Sequence, residues 1–296
     1  MGRPRALVTG CNGFTGIYLV RQLKAAGYEV VGLAATQTAS HATLISANLL
    51  DREAVGAAIA AVQPDVVLHL AAVSYVDHGD VDEIYRVNVV GARNLLESLA
   101  QLERKPRLVV LASSANVYGN AGIEPISEET SLIPENDYAV SKVAMEYMAK
   151  LWVDQLPIVI MRPFNYTGVG QSERFLIAKI VAHFRRGERT IELGNTEVVR
   201  DFGDVRDVSR TYMSILDARP VGMTLNLCTG IGHSVDDILD MMVDIAGYRI
   251  EVRISSKLVR THEVRSLVGS RAKLSEEIDL KTPTPLQETL AWMYAS

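Results

Sequence analysis

The chain has 296 residues, 48% of them hydrophobic and 22% charged, enough for one large core or two smaller ones. Its 30 Lys and Arg against 35 Asp and Glu give a net charge of −5, with no basic block of the kind that tracks nucleic acid. Two cysteines, Cys11 and Cys228, are too few for a disulfide framework and have no metal-ligand spacing, so no metal is expected.

The apolar runs are too short to cross a bilayer. The start, M-G-R-P-R-A-L-V-T-G, lacks the apolar core of a signal peptide, and Ala6 stands where myristoylation wants Ser or Thr. A soluble cytoplasmic protein is expected.

Residues 5–9 read as an apolar strand running into T-G-C-N-G-F-T-G. A helical pattern follows to Gly27, then a second strand over 28–34. Strand, glycine turn, helix and strand within about 30 residues make a βαβ unit. Gly10 allows the tight turn, Gly13 lets backbone approach a pyrophosphate, and Gly16 lets the helix pack close. The helix N-terminus then faces the phosphates of a dinucleotide. The second strand ends Leu33-Ala34-Ala35-Thr36-Gln37, with neither an acid for a free ribose hydroxyl nor an arginine for a 2′-phosphate. NADPH is slightly favoured over NADH.

Asp51 is expected to cap a helix running through Ala61. Residues 66–72 read as a buried strand, with His69 a core histidine. Residues 81–102 read as a long helix carrying Asn88, a structural bridge or part of a proton path. Residues 108–111 form the next strand, ending in Ala112-Ser113-Ser114, where hydroxyls meet the ligand edge of a doubly wound sheet.

One helix is expected over 137–156, with Val140, Ala144, Tyr147, Met148 and Leu151 as its apolar stripe. It carries D-Y-A-V-S-K, which sets Tyr138 and Lys142 on one face. An ammonium beside a phenol favours the phenolate, easing proton transfer. A Y-x-x-x-K pair alone is also common on solvated faces.

After a strand over 158–161 comes R-P-F-N-Y-T-G. Helices are then expected over 171–187, 207–216 and 235–246, strands over 224–228 and 249–254, and an amphipathic segment after Pro285. The fold class is α/β: a doubly wound parallel sheet (Rossmann) over 1–165, with a smaller mixed α/β C-terminal substrate domain over 166–296. The chain is expected to return to the first domain around 205–230.

T-G-C-N-G-F-T-G, S-S-A-N-V-Y-G at 113–119, Y-A-V-S-K at 138–142 and R-P-F-N at 162–165 occur in that order. Together they resemble the extended short-chain dehydrogenase/reductases acting on nucleotide sugars. L-G-N-x-x-x-x-R-D-F-G-D at 193–204 and R-T-H-E-V at 260–264 resemble segments of the GDP-mannose 4,6-dehydratases. Those enzymes carry an acidic pair after the catalytic hydroxyl residue. Here Ala115 and Asn116 stand there, and neither can serve as general acid or base. The combination most resembles the GDP-4-dehydro-6-deoxy-D-mannose reductases.

The resemblance implies a catalytic set of Ser114, Tyr138 and Lys142, with Lys142 lowering the tyrosine's pKa. Its cofactor is NADP(H) or NAD(H), held by Gly10, Asn12, Gly13, Phe14 and Gly16, by Asn48, Leu49, Leu70, Ala71 and Ala72, and by Tyr138, Lys142 and Pro163. It implies a GDP-linked sugar substrate held by Ser74, Asn165, Arg174 and Lys179, by Leu193 and Gly194, and by Arg200, Arg260 and Glu263. The two arginines would pair with the diphosphate, and Glu263 would accept from a ribose hydroxyl.

The resemblance also implies a homodimer through a four-helix interface of the 81–102 and 137–156 helices, with no membrane or nucleic-acid partner. Met145, Met148 and Trp152 are apolar positions beyond what one buried face needs. Two other readings exist. S-S-A-N-V-Y-G also resembles the S-S-A-T-V-Y-G of 4-epimerases that retain NAD, and a binding module could keep the fold without the chemistry.

Overall fold

The computed structural model describes residues 2–35, 42–74, 79–256 and 264–296. The first half alternates strands and helices: β1 (Arg5–Thr9), α1 (Phe14–Ala25), β2 (Glu29–Ala34), β3 (Thr43–Ser46), α2 (Arg52–Val62) and β4 (Val66–His69). Then come α3 (Val81–Tyr85), a π-helical segment (Arg86–Gly91), α4 (Ala92–Gln101), β5 (Leu108–Ala112) and a 3-10 turn (Ala115–Tyr118). Next are α5 (Asp137–Ala149), a 3-10 turn (Lys150–Trp152), β6 (Ile158–Pro163) and β7 (Asn165–Thr167). The remainder supplies α6 (Leu176–Arg185), β8 (Thr190–Leu193), β9 (Val199–Asp204), α7 (Val205–Ala218) and β10 (Thr224–Leu227). It ends with β11 (Gly232–Ser234), α8 (Val235–Ala246), β12 (Glu251–Ile254), β13 (Ser266–Leu267), α9 (Ala272–Glu277) and α10 (Leu286–Ala295).

Seven strands form one sheet in the order β10-β6-β5-β4-β1-β2-β3, and every pairing is parallel. Its strands are apolar on both faces because helices cover both. Ala6, Val8, Leu68 and Val110 pack with Leu19 and Leu23 of α1 and Tyr212 and Ile215 of α7. Alternate residues Leu7, Val67, Val109 and Leu111 pack on the other side, against α2, α4 and α5. A second core joins α6, α8, α10 and β8. The small sheets there are mixed: β11 runs antiparallel to β9, whereas β7 and β13 run parallel to it. β12 pairs parallel with β8. Among the described residues no helix is long and apolar enough to cross a membrane.

Several expected elements differ at their ends. The helix over 137–156 stops at Ala149 and tightens into the 3-10 turn Lys150–Trp152. Leu156 donates back to the Trp152 carbonyl, and Pro157 keeps the residue before it from α geometry. The helix over 81–102 is interrupted by its π segment. The helix over 171–187 begins only at Leu176. The strand over 66–72 ends at His69, where the chain peels away over Thr9.

The expected apolar stripe of α5 is a larger correction. Val140, Tyr147 and Leu151 face outward, Leu151 being 76% exposed. The inner face is Tyr138, Ser141, Lys142, Met145, Glu146 and Ala149. Met145, Met148 and Trp152 pack inward on the sheet, so they are not surplus apolar positions.

Candidate active site

β1 and β4 are neighbours whose chains leave to opposite sides, and their carboxyl ends open the crevice at which doubly wound sheets take ligands. Gly10 sits there with φ +71°, and a Cβ on it would lie 2.8 Å from the Ala71 nitrogen. A Cβ on Gly16 would collide with the Gly10 carbonyl oxygen. Gly13 starts α1 with no side-chain cap, leaving first-turn N–H groups for an anion. This turn therefore fits a dinucleotide pyrophosphate, and the fit depends on the three glycines having no side chains.

Thr9 fixes the far wall. Its hydroxyl accepts from the Ala71 N–H at 3.1 Å and pairs with His69 Nδ1 at 2.7 Å. This brings Leu70, Ala71 and Ala72 beside Gly10–Gly16. Phe14 stacks on Tyr166, with centroids 6.1 Å apart, and Thr15 Oγ1 lies 2.7 Å from the Tyr166 hydroxyl. Asn48, Leu49 and Pro163 follow or end β3 and β6 on the same carboxyl edge. Asn48 caps the Leu50 N–H, and the Leu49 carbonyl accepts from Asn94.

α5 brings the other candidate residues to this edge. Asn136 caps it by accepting from the Ala139 N–H at 2.9 Å. Two consecutive residues at the end of β5 are held by this helix, and the next faces it. Lys142 Nζ donates to the Ala112 carbonyl at 2.8 Å, Ser113 Oγ donates to Glu146 Oε1 at 2.5 Å, and Ser114 lies close enough to the Tyr138 hydroxyl to pull its pKa down. Ser114, Tyr138 and Lys142 are all buried. Asn88 braces the same helix: it exchanges two bonds with the Val73 backbone and donates to Ser141 Oγ at 3.0 Å. That satisfies its amide and makes it a structural bridge. It lies in the π segment, a feature often found at functional sites.

The electrostatics depart from the sequence expectation. Burial pushes the Tyr138 phenol up to about 12, outweighing the influence of the Ser114 hydroxyl, which pulls it down; Tyr166 adds a further rise. The Lys142 ammonium is committed to Ala112 and lies 5.9 Å from the ring centroid. The expected lowering of the phenol by Lys142 therefore loses to burial, and Tyr138 is a neutral hydroxyl at ordinary pH. Burial brings Lys142 down to about 8, against the charge of Glu146, which raises it. Burial also pulls His69 down to about 3, helped by the Lys142 charge, so His69 is a neutral core histidine.

The candidate substrate residues are more scattered. Ser74 is exposed on the loop after β4. Asn165 lines a cavity of about 230 Å³ with Cys228, Thr229 and Arg271. Arg174 is exposed before α6, and Lys179 on α6 donates to the Glu192 carbonyl. The Leu193 side chain lies in the second core, so only its backbone, like that of Gly194, is open to a ligand. Arg200 on β9 donates to the Val199 carbonyl at 2.8 Å. Arg260 and Glu263 lie outside the described residues.

Two groups escaped the sequence reading. Arg162 on β6 makes a bidentate pair with Glu146 at 2.9 and 2.6 Å, and donates to Tyr118 Oη at 2.9 Å. Tyr118 donates to Asn226 Oδ1 at 2.7 Å. The spacing of Glu146 four residues after Lys142, and an arginine in the apolar run I-V-I-M-R, were available signals. In the other half, Asp201 of β9 is fully buried and accepts from Thr229 and Gly230, tying the loop after β10 to the Arg200 strand.

A glycine cradle at the switch point of a parallel sheet, with a buried Ser/Tyr/Lys set beside it, defines a Rossmann-fold oxidoreductase. Residues 7–293 match the family described as GDP-mannose 4,6 dehydratase, and the chain belongs to that family. It is 33% identical over 273 residues to a GDP-6-deoxy-D-talose 4-dehydrogenase of Aggregatibacter actinomycetemcomitans, covering 91% of this chain and 90% of that one. It is 31% identical to a GDP-6-deoxy-D-mannose reductase of Pseudomonas aeruginosa, covering 97% and 94%. Among solved structures, a candidate epimerase from Burkholderia cenocepacia superposes over both full chains with TM-score 0.93 and 49% identity. The Pseudomonas aeruginosa RMD structure, complexed with NADPH, gives TM-score 0.85 at 30% identity, covering 100% and 98%.

Proposed function

We propose that the chain reduces the C4 keto group of a GDP-linked 4-dehydro-6-deoxyhexose with a nicotinamide cofactor. One observation carries this reading. Ser114, Tyr138 and Lys142 are buried together at the carboxyl edge of the sheet, while Ala115 and Asn116 put no carboxylate where dehydration would need one. The names of the two relatives point the same way, since both concern GDP-6-deoxyhexoses oxidised or reduced at the sugar.

The residues divide the work as follows. When bound, the nicotinamide supplies the hydride. Tyr138 gives its hydroxyl proton to the C4 oxygen, and its raised pKa keeps that proton in place beforehand. Ser114 hydrogen-bonds the same oxygen. The Lys142 ammonium holds the nicotinamide ribose and offsets negative charge as the proton leaves. Gly10, Gly13 and Gly16 cradle the pyrophosphate, and Arg200 and Arg260 take the diphosphate of the sugar nucleotide. The segment 1–165, with 205–230 returning to it, handles the cofactor, and the rest of 166–296 handles the substrate. NADPH is the favoured cofactor, in line with the NADPH held by the Pseudomonas structure. The product is a GDP-6-deoxyhexose such as GDP-D-rhamnose. A cytoplasmic homodimer through α3–α4 and α5 completes the proposal.

Purified protein incubated with the 4-keto substrate should consume nicotinamide absorbance, and NMR of the product should give its C4 configuration. No oxidation of either NADPH or NADH would sink the reading. The likeness to the Burkholderia candidate epimerase supports one alternative, a nucleotide-sugar 4-epimerase. In that case the protein would purify with stoichiometric NAD and interconvert two sugars without added cofactor.

A further inference from the structure

Behind the Ser/Tyr/Lys set lies a chain of buried polar groups that the proposed chemistry does not touch. Ser113 Oγ and Arg162 Nε both donate to Glu146 Oε1, and Arg162 Nη2 donates to Oε2 at 2.6 Å. The Glu146 and Arg162 side chains are 4% and 7% exposed. Tyr118, which receives a bond from Arg162, lies under the guanidinium with its ring centroid 5.0 Å away. Asn226 accepts from Tyr118 and donates to the Ile126 carbonyl, while Glu128 accepts from the Asn226 backbone. A buried ion pair contributes little net stability against an apolar pair of the same volume. An apolar pair would serve a purely structural need at least as well.

The position of this pair points elsewhere. Lys142 and Glu146 grip residues 112 and 113 respectively. Glu146 stands one helical turn beyond Lys142 on the same face. We propose that Glu146, hydrogen-bonded by Arg162 and Ser113, is a positioning residue that keeps the Lys142 ammonium charged and the Ser113-Ser114 backbone aimed at the crevice. This rests on the role given to Lys142 in the proposed reductase.

The surroundings of Lys142 favour Glu146 as the controlling group. Burial works against its charge, and Glu146 is the counter-charge that acts on it. From β4, His69 faces it as a neutral ring. From its own helix, Tyr138 faces it as a neutral phenol. The π segment presents the uncharged Asn88 to Ser141. Glu83, Arg86 and Arg93 on the helices packed against α5 are exposed, and Glu97 is engaged by Arg52 and Arg93. Asp137 takes a bond from Tyr85 at the exposed start of the helix.

The first test needs no ligand and no turnover. Denaturant unfolding is followed from pH 6.5 to 9.5 for the wild type, Lys142→Met, the neutral pair Glu146→Gln/Arg162→Met, and the triple variant. The neutral pair removes both partners of the Glu146–Arg162 ion pair together, so neither of them is left buried without the other. The coupling between Lys142 and the pair should be favourable at pH 6.5 and fade as pH rises through about 8, where the ammonium loses its proton. A coupling constant across that range would make Glu146 a packing element and overturn the proposal.

The second test is the pH profile of sugar reduction by Glu146→Gln and by the neutral pair. The alkaline limb should move down by about half a pH unit or more, with the acid side unchanged. An unmoved limb in an active variant also overturns the proposal. Because the first test involves no sugar, its result stands even if the substrate assignment fails.

Discussion

The two faces of α5 invert the usual arrangement of a surface helix. The inner face buries a phenol, a hydroxyl, an ammonium and a carboxylate, whereas the outer face exposes Val140 and Tyr147, continued by Leu151 in the 3-10 turn that follows. The inner face is tolerated because its charged and hydroxyl groups have partners: Ala112 for Lys142, Arg162 and Ser113 for Glu146, and Asn88 for Ser141. On the outer face Lys150 covers the Tyr147 ring, with its ammonium 4.5 Å from the centroid, while Val140 and Leu151 stay open. The proposed chemistry would explain the inner inversion, and a second subunit would explain the outer one.

The largest effect should come from the first residue of the inner face. Tyr138→Phe removes one oxygen and leaves the ring in place. If the phenol is the proton donor, turnover should fall roughly 10²- to 10⁴-fold, while GDP and NADPH still bind by calorimetry. A real activity that survives undiminished would mean that Tyr138 is part of the wall and not of the chemistry.

Next comes the buried charge pair. Arg162→Met alone leaves Glu146 buried without its counter-ion, which should cost about 3–5 kcal/mol in denaturant unfolding. Replacing both partners with apolar or neutral groups should cost much less. Equal losses for the single and the double variant would show that shape, not charge, holds the inner face together.

The third effect is pH dependence at His69, which faces Lys142 from β4. Its folded pKa of about 3 lies below the ordinary 6.5, so the unfolded chain binds the proton first. The stability associated with a neutral His69 is complete above pH 6.5 and is lost as pH falls from there towards 3. The slope is about 1.4 kcal/mol per pH unit, so the wild type should lose about 2 kcal/mol from this group between pH 6.5 and 5. His69→Gln should lower stability at pH 7 but remove that part of the slope. An unchanged slope would place the acid sensitivity elsewhere.

Much of this was legible in the sequence, because the signals are local. The glycine turn, the βαβ unit and the Tyr138–Lys142 spacing each lie within a few residues, and the βαβ alternation gave the doubly wound sheet. The apolar pattern of α5 points to the wrong face for a physical reason. Apolar periodicity marks the buried side only where burial serves packing, and here it serves a polar site. The bond from Tyr118 to Asn226 joins residues 108 apart, and no short-range pattern encodes it. Arg260 and Glu263 lie in a segment outside the described residues.

The smallest expected effect on the folded chain is on the outer face, and it tests the comparison most directly. Leu151 is 76% exposed and Tyr147 59%, so polar replacements there should change subunit stability by no more than about 0.5 kcal/mol. If these residues meet a second copy of α5, Leu151→Glu should insert a charge into an apolar contact and shift the molecule towards monomer. Size-exclusion chromatography with light scattering reads that directly. A wild type that is monomeric, or a Leu151→Glu variant that associates as the wild type does, would leave the outer apolar face without the partner that its exposure calls for. The inner face would then be the only inversion with a physical account.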